Sequence, residues 1–252
     1  MPMLCKNCSE QVDQKYCPNC GQKATTGRIS LPGLIRDLPH AVFHIDKGIL
    51  FNVVQLFKRP GPAIIDYLDG KRKNFFHPAS YLVIALVLNY LVVKITDLHF
   101  YDEGELATMS ALEAQAIKDY DGTQWWFLEH TYMYILPAIP SSTLFLFLIF
   151  RLMKQTYNVA ETAVVVLFVI AQGVLIQCII YALFGWIDSG PVRRTIESIN
   201  MVFLIMYASL VIGKLLVATR SHLMRFVMGI VGGVGLAVVW LASAYVLYLL
   251  LT

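Results

Sequence analysis

Five apolar runs, each long enough to cross a bilayer, decide what this chain can become. A helix rises about 1.5 Å per residue and the hydrocarbon core is about 30 Å thick, so about 20 apolar residues span it. The runs are Ala79–Ile95, Met133–Leu152, Ala160–Ile187, Ser198–Ala218 and Phe226–Leu251. Backbone polar groups in lipid must be satisfied within the segment, so such runs are helices. Of 252 residues, 57% are hydrophobic and 15% charged, against about 25% charged in a soluble domain. The expected fold is an all-α integral membrane protein with about five transmembrane helices. A disordered chain is excluded, and an ordinary soluble enzyme is disfavoured. A net charge of +3 leaves no electrostatic footprint for nucleic acid.

Four of the five cysteines lie at one end. Cys5, Cys8, Cys17 and Cys20 form two CxxC pairs, CKNC and CPNC, separated by eight residues. Each pair is a tight turn aiming two thiolates at one point, and two such turns complete a tetrahedron around Zn²⁺. The segment is too short for a hydrophobic core, so the metal would supply its folding energy. Two disulfides or a redox dithiol are the rival readings. Four thiolates leave no open position for a substrate, so the expected zinc is structural. Cys178 stands alone in an apolar run and reads as an inert buried thiol.

Lys and Arg placement sets the expected orientation. Residues 1–78 hold 11 basic and 6 acidic residues, whereas 97–131 hold 1 basic and 8 acidic. The amino end is expected in the cytoplasm of a bacterial inner membrane and the carboxyl end outside. Reduced thiolates suit the same side. Arg193 and Arg194 are the outer residues that disagree. The first residues are polar and cysteine-rich, so no signal peptide is expected. The chain divides into a zinc ribbon over 1–24, amphipathic helices over 25–78 and a five-span bundle over 79–252, with an acidic outer segment at 97–131.

Between ribbon and membrane, Leu31, Leu34, Ile35, Leu38, Val42, Ile45 and Ile49 recur at helical spacing, interrupted at Pro39. A second apolar stripe follows through Phe57. Arg59-Pro60-Gly61-Pro62 forces a turn. These helices are expected to lie in the cytoplasmic interface or to pack into the mouth of the bundle. Lys71, Arg72 and Lys73 would meet anionic head groups. His40 and His44, at i and i+4, share a helical face near Asp46 and Lys47. That spacing suits a metal or a lipid head group. The pair has no catalytic Glu and no clear third ligand, which favours a solvated helix face.

Several motifs here resemble a known family. They are CxxC…CxxCG followed by Gln22, His44-x-Asp46-Lys47-Gly48, Arg59-Pro60-Gly61, Tyr67-Leu68-x-Gly70-Lys71-Arg72 and Pro78-x-x-Tyr81-Leu82. Together, over residues 5–82, they look like the membrane family catalogued as domain of unknown function 3667. The resemblance implies architecture and location and transfers no catalytic residue.

Within the spans, Asn89, Gln172, Gln177 and Asn200 need partners in hydrocarbon and are expected to bridge helices. No Asp, Glu or Arg is expected at mid-span, which weighs against an ion-coupled carrier. Pro137 and Pro140 mark an expected kink or break in the second span. Gly229-x-x-x-Gly233 is a close-packing motif expected to act within the bundle. Outside, one short amphipathic helix is expected around Leu106–Ile117, and Asp102, Glu103 and Glu105 read as a solvated acidic face. P-loop, GxGxxG, HExxH and GxSxG motifs are absent.

The expected role is a non-enzymatic docking or assembly subunit, partnered by a protein or a second copy and by the bilayer. The alternatives are a small-solute or lipid transporter, and a lipid-active enzyme using His40, His44 and Asp46.

Overall fold

A computed structural model describes residues 3–34, 48–97, 99–187, 189–219 and 221–251. Strands β1 (Met3–Leu4) and β2 (Gln11–Val12) pair antiparallel, Met3 opposite Val12. Helices follow: α1 (Gly48–Lys58), α2 (Pro60–Leu68), α3 (Pro78–Thr96), α4 (Glu103–Ala107), α5 (Ala111–Glu129), α6 (Thr131–Leu152), α7 (Val159–Phe184), α8 (Gly190–Leu215) and α9 (His222–Leu251).

Local chemistry sets several of these boundaries. Proline opens α2 and α3 at the first helical position, where its missing N–H costs nothing. Ser110 with Glu113, and Asn158 with Glu161, form reciprocal capping boxes that start α5 and α7. Gly70, at φ +107°, turns the chain after α2.

Among the described residues, five helices are long and apolar enough to cross a membrane: α3, α6, α7, α8 and α9. The most apolar, α7, is also the most enclosed, with Val164, Phe168 and Ala171 fully buried. Helix α3 runs beside it, α6 and α8 pack on other sides, and α9 packs against α6 and α8. Glycines bring α8 and α9 together. A Cβ on Gly229 would lie 2.6 Å from the Ser209 carbonyl oxygen, and one on Gly233 would overlap the Ser209 hydroxyl. Among the described residues, then, this glycine motif is spent within the bundle.

Four details differ from the sequence reading. The fourth span begins at Gly190 rather than Ser198. The extra turns carry Arg193, Arg194 and Glu197, and bonds at the acidic end support them. Arg193 donates to the carbonyls of Ile187 and His99, and Arg194 pairs with Glu105 and donates to the Phe100 carbonyl. Secondly, of the expected kink or break in α6, the break is not realised: one helix runs across Pro137 and Pro140, with Ser141 donating to the Pro137 and Ala138 carbonyls. Thirdly, the acidic segment forms two helices, α4 and α5. Lastly, Asp102 and Glu105, expected on a solvated face, are engaged: Asp102 accepts from the N–H groups of Glu105 and Gly190, and Glu105 pairs with Arg194.

Helices α1 and α2 sit on the end of the bundle near the four cysteines. Leu56, Ala63 and Ile64 are fully buried there, and Tyr207 of α8 donates to the Leu56 carbonyl. A Cβ on Gly61 would overlap Lys214 Cβ. The opposite stripe of α1, Leu50, Val54 and Phe57, is exposed. One side of the segment thus enters the mouth of the bundle while the other keeps an apolar outer face.

Candidate metal centre and the cavity in the bundle

The two CxxC turns are built alike. In the first, Cys5 N–H donates to the Glu10 carbonyl and Ser9 N–H to the Cys5 carbonyl. In the second, Cys17 N–H donates to Gln22 and Gly21 N–H to Cys17. Ser9 (φ +62°) and Gly21 (φ +72°) make the left-handed step that turns each loop back. The result brings four sulfurs together. Cys5 and Cys20 Sγ are 3.6 Å apart, Cys8 and Cys17 Sγ are 3.5 Å apart, and all four lie within 4.8 Å of one another. A tetrahedral zinc with bonds of about 2.3 Å would set its sulfurs about 3.8 Å apart, so the cage fits such an ion after a small expansion. The four cysteines are free thiols, so the disulfide reading is not realised.

Their electrostatics also ask for a cation. A hydrogen bond from the Cys20 backbone N–H leads in lowering the Cys17 thiol to about 7. The Glu10 backbone lowers Cys8, but burial and the three neighbouring thiols outweigh it and push Cys8 up to about 12. Four adjacent sulfurs cannot all ionise unless a positive charge sits among them.

The head is fastened to the bundle by two clamps. Gln22, only 5% exposed, donates to the Gly70 carbonyl at 2.9 Å and accepts from the backbone N–H groups of Arg72 and Lys73, both at 3.0 Å. All three bonds go to the turn that enters the first span. Further on, Arg28 grips Glu161 through two hydrogen bonds, 2.9 and 2.5 Å, and also donates to the Thr156 carbonyl. Asn158, the cap of α7, donates to the Ile29 carbonyl. A third device holds α1. Asn52, fully buried, donates to the Phe76 carbonyl and accepts from its N–H.

Of the other residues singled out by sequence, His40, His44, Asp46 and Lys47 lie outside the described residues. Lys71 pairs with Asp66 at 2.7 Å, and Asp66 also pairs with Arg59. Arg72 donates to the carbonyls of Tyr67 and Gly27. The Lys73 backbone is held by Gln22. This basic cluster is thus tied into the head–bundle joint. Among the amides, Gln172 accepts from Tyr81 at 2.5 Å and Gln177 donates to the Tyr181 hydroxyl at 2.9 Å.

A second feature was not visible in the sequence. A cavity of about 500 Å³ lies between α6, α7, α8 and α9, roofed by α5. Its lining is mostly apolar, with Ser142 and Tyr207 among the polar exceptions and a polar cluster towards the acidic end. There Tyr181 donates to Glu197 at 2.6 Å, with Gln177 donating to Tyr181 in turn. Glu197 is the eighth residue of α8, about 10 Å along its axis. By sequence, Glu197 falls in the connection before the fourth span; the longer helix carries it into the bundle, short of mid-span. One signal could have found it: Glu197 and Asn200 stand at i and i+3, on one face of the helix that continues into the fourth apolar run.

Residues 46–89 match the family described as "Protein of unknown function (DUF3667)". The match covers α1, α2 and the first part of α3, and so includes Asn52, Gly61, Gly70 and the basic turn. It bears out the resemblance over that segment and leaves the head, α7–α9 and the cavity outside it. No curated protein and no solved structure matches the chain.

Proposed function

We propose that this protein is a non-enzymatic docking subunit of a bacterial inner membrane, presenting a zinc-clasped head on the cytoplasmic side of a five-span anchor. Cys5, Cys8, Cys17 and Cys20 would hold the zinc, which contributes folding energy and no open coordination site. The supporting observation is the Gln22 clamp, which makes the head a fixed part of the bundle rather than a tethered appendage. Met3, Leu4 and Tyr16 remain exposed on the head as apolar contact points for a protein partner. The basic excess before the first span supports a cytoplasmic head. Leu50, Val54 and Phe57, beside Lys58, suit contact with an anionic leaflet.

Native mass spectrometry of the chain released from membranes tests this reading. A defined complex is expected, and Gln22→Ala should weaken it with the bundle still folded. A lone monomer under gentle release would sink it. The cavity favours a second reading, passage of a lipid or small solute, which an absence of flux in reconstituted liposomes would remove. The enzyme reading rests on residues outside those described.

A further inference from the structure

The cavity has a chemistry that the docking role does not require. We propose that it binds a neutral, single-tailed lipid whose hydroxylated head sits among Glu197, Asn200 and Trp240. The inference concerns binding alone and stands whether or not anything is carried across the bilayer.

Size and shape come first. About 500 Å³ falls inside the range of small-molecule sites, about 300–1,000 Å³. The lining along α8 runs from Glu197 to Ala208, about 16 Å at 1.5 Å per residue. That is about one leaflet of a 30 Å hydrocarbon core, the length available to one tail. Val166, Ile170, Val174, Leu204 and Leu236 supply the apolar wall.

The polar groups then select the head. Asn200 is 1% exposed, and its Oδ1 has no hydrogen-bond partner among the described residues. Trp240 Nε1 is likewise buried without a partner. Both residues line this cavity. One atom is an acceptor and the other a donor, and each is costly to leave unpaired. A hydroxyl both gives and takes a hydrogen bond, whereas an ammonium only gives and would leave Trp240 unmatched. A phosphate or carboxylate would face Glu197 with no compensating charge, because no Lys, Arg or His is among the described residues lining the cavity.

Entry is from the side. Helices α8 and α9 touch through Ser209, Gly213, Gly229 and Gly233 near the cysteine end. Further along, Met201, Leu241 and Tyr245 line the cavity and are among the exposed large apolar residues. They make an apolar doorway facing hydrocarbon.

The test uses the full chain in phosphatidylcholine vesicles and monooleoylglycerol carrying a photoactivatable tail. Labelling is expected within 197–208 and 233–245, competed by unlabelled monooleoylglycerol. Lysophosphatidate and oleylamine should compete at least roughly tenfold less well, as expected when a buried polar group stays unpaired. Trp240→Phe removes the donor while keeping an aromatic ring, and should weaken labelling roughly tenfold. Ala237→Trp fills the cavity and should abolish labelling. If that variant fails to fold, Trp240→Phe decides alone. Equal competition by lysophosphatidate or oleylamine overturns the proposal, as does labelling that neither variant changes.

Discussion

Ser9 and Gly21 occupy the same backbone conformation in the two halves of the head, and only one of them has a side chain. A left-handed φ costs a non-glycine residue about 1–2 kcal/mol. Space is not the issue at Gly21, where a Cβ would meet only the end of Lys73 at 3.6 Å. Gly21→Ala is therefore expected to cost about 1–2 kcal/mol, read as roughly tenfold weaker metal retention against a chelator. Ser9→Gly should be nearly silent, because relief of φ is offset by about 0.5–1 kcal/mol of added chain entropy. Asn52 offers a larger effect. Asn52→Ala leaves the buried Phe76 N–H and C=O without partners, at about 1–3 kcal/mol. A lower thermal midpoint in detergent would show it, with metal content unchanged.

At the scale of elements, close packing and the acidic cap make separate predictions. Gly61→Ala forces α2 off Lys214 and should destabilise by about 1–3 kcal/mol, as overpacking does. A matching substitution at Gly122, where a Cβ meets nothing within 4 Å, should not. Differential scanning in detergent separates the two. The cap should respond to acid. N–H groups of Glu105 and Gly190 hold the Asp102 carboxyl below its ordinary value of 3.8. A depressed folded value means the contribution is complete above that ordinary value and fades as pH falls through the folded one. Proteolysis within 97–110 should therefore increase below about pH 3–4 in the wild type. Asp102→Asn should show this susceptibility already at neutral pH.

Element boundaries also show what a sequence can carry. Five spans are legible because hydrocarbon demands length and apolarity together, and both are local properties. The start of α8 is not. Pro191, Arg193, Arg194 and Glu197 read as a connection until their partners, Glu105 and the carbonyls near residue 100, are brought alongside. Charges cancelled by distant groups leave no periodic trace. The four cysteines are legible for the opposite reason, since their spacing alone closes the cage. Gln22 is visible as a position, but its role depends on Gly70, 48 residues away. The cavity is illegible because it is a gap between helices, and each of its walls reads as an ordinary apolar face.

For the whole molecule, the question is how far the metal governs the bundle. The large core holds α1, α2, α3, α6, α7, α8 and α9 together, with Ile29 and Leu34 at its margin as the contribution of the chain that follows the cysteines before α1. Stripping the metal should therefore unfold the head and leave the helical content of the spans nearly unchanged, as circular dichroism with a chelator would show. Arg28 should be released with it. The same titration in Arg28→Gln is expected to reach its endpoint at lower chelator, because the clasp no longer shares its stability with α7.

Gln22 has one more implication, in time rather than space. The ribosome finishes the head before it makes the turn at 69–73 or any span. In a cell starved of the metal, the nascent turn would arrive with no amide to receive it. The shortage would thus be written at the membrane surface as a loose, cleavable strap, and pulse-chase with a limiting protease would read it there.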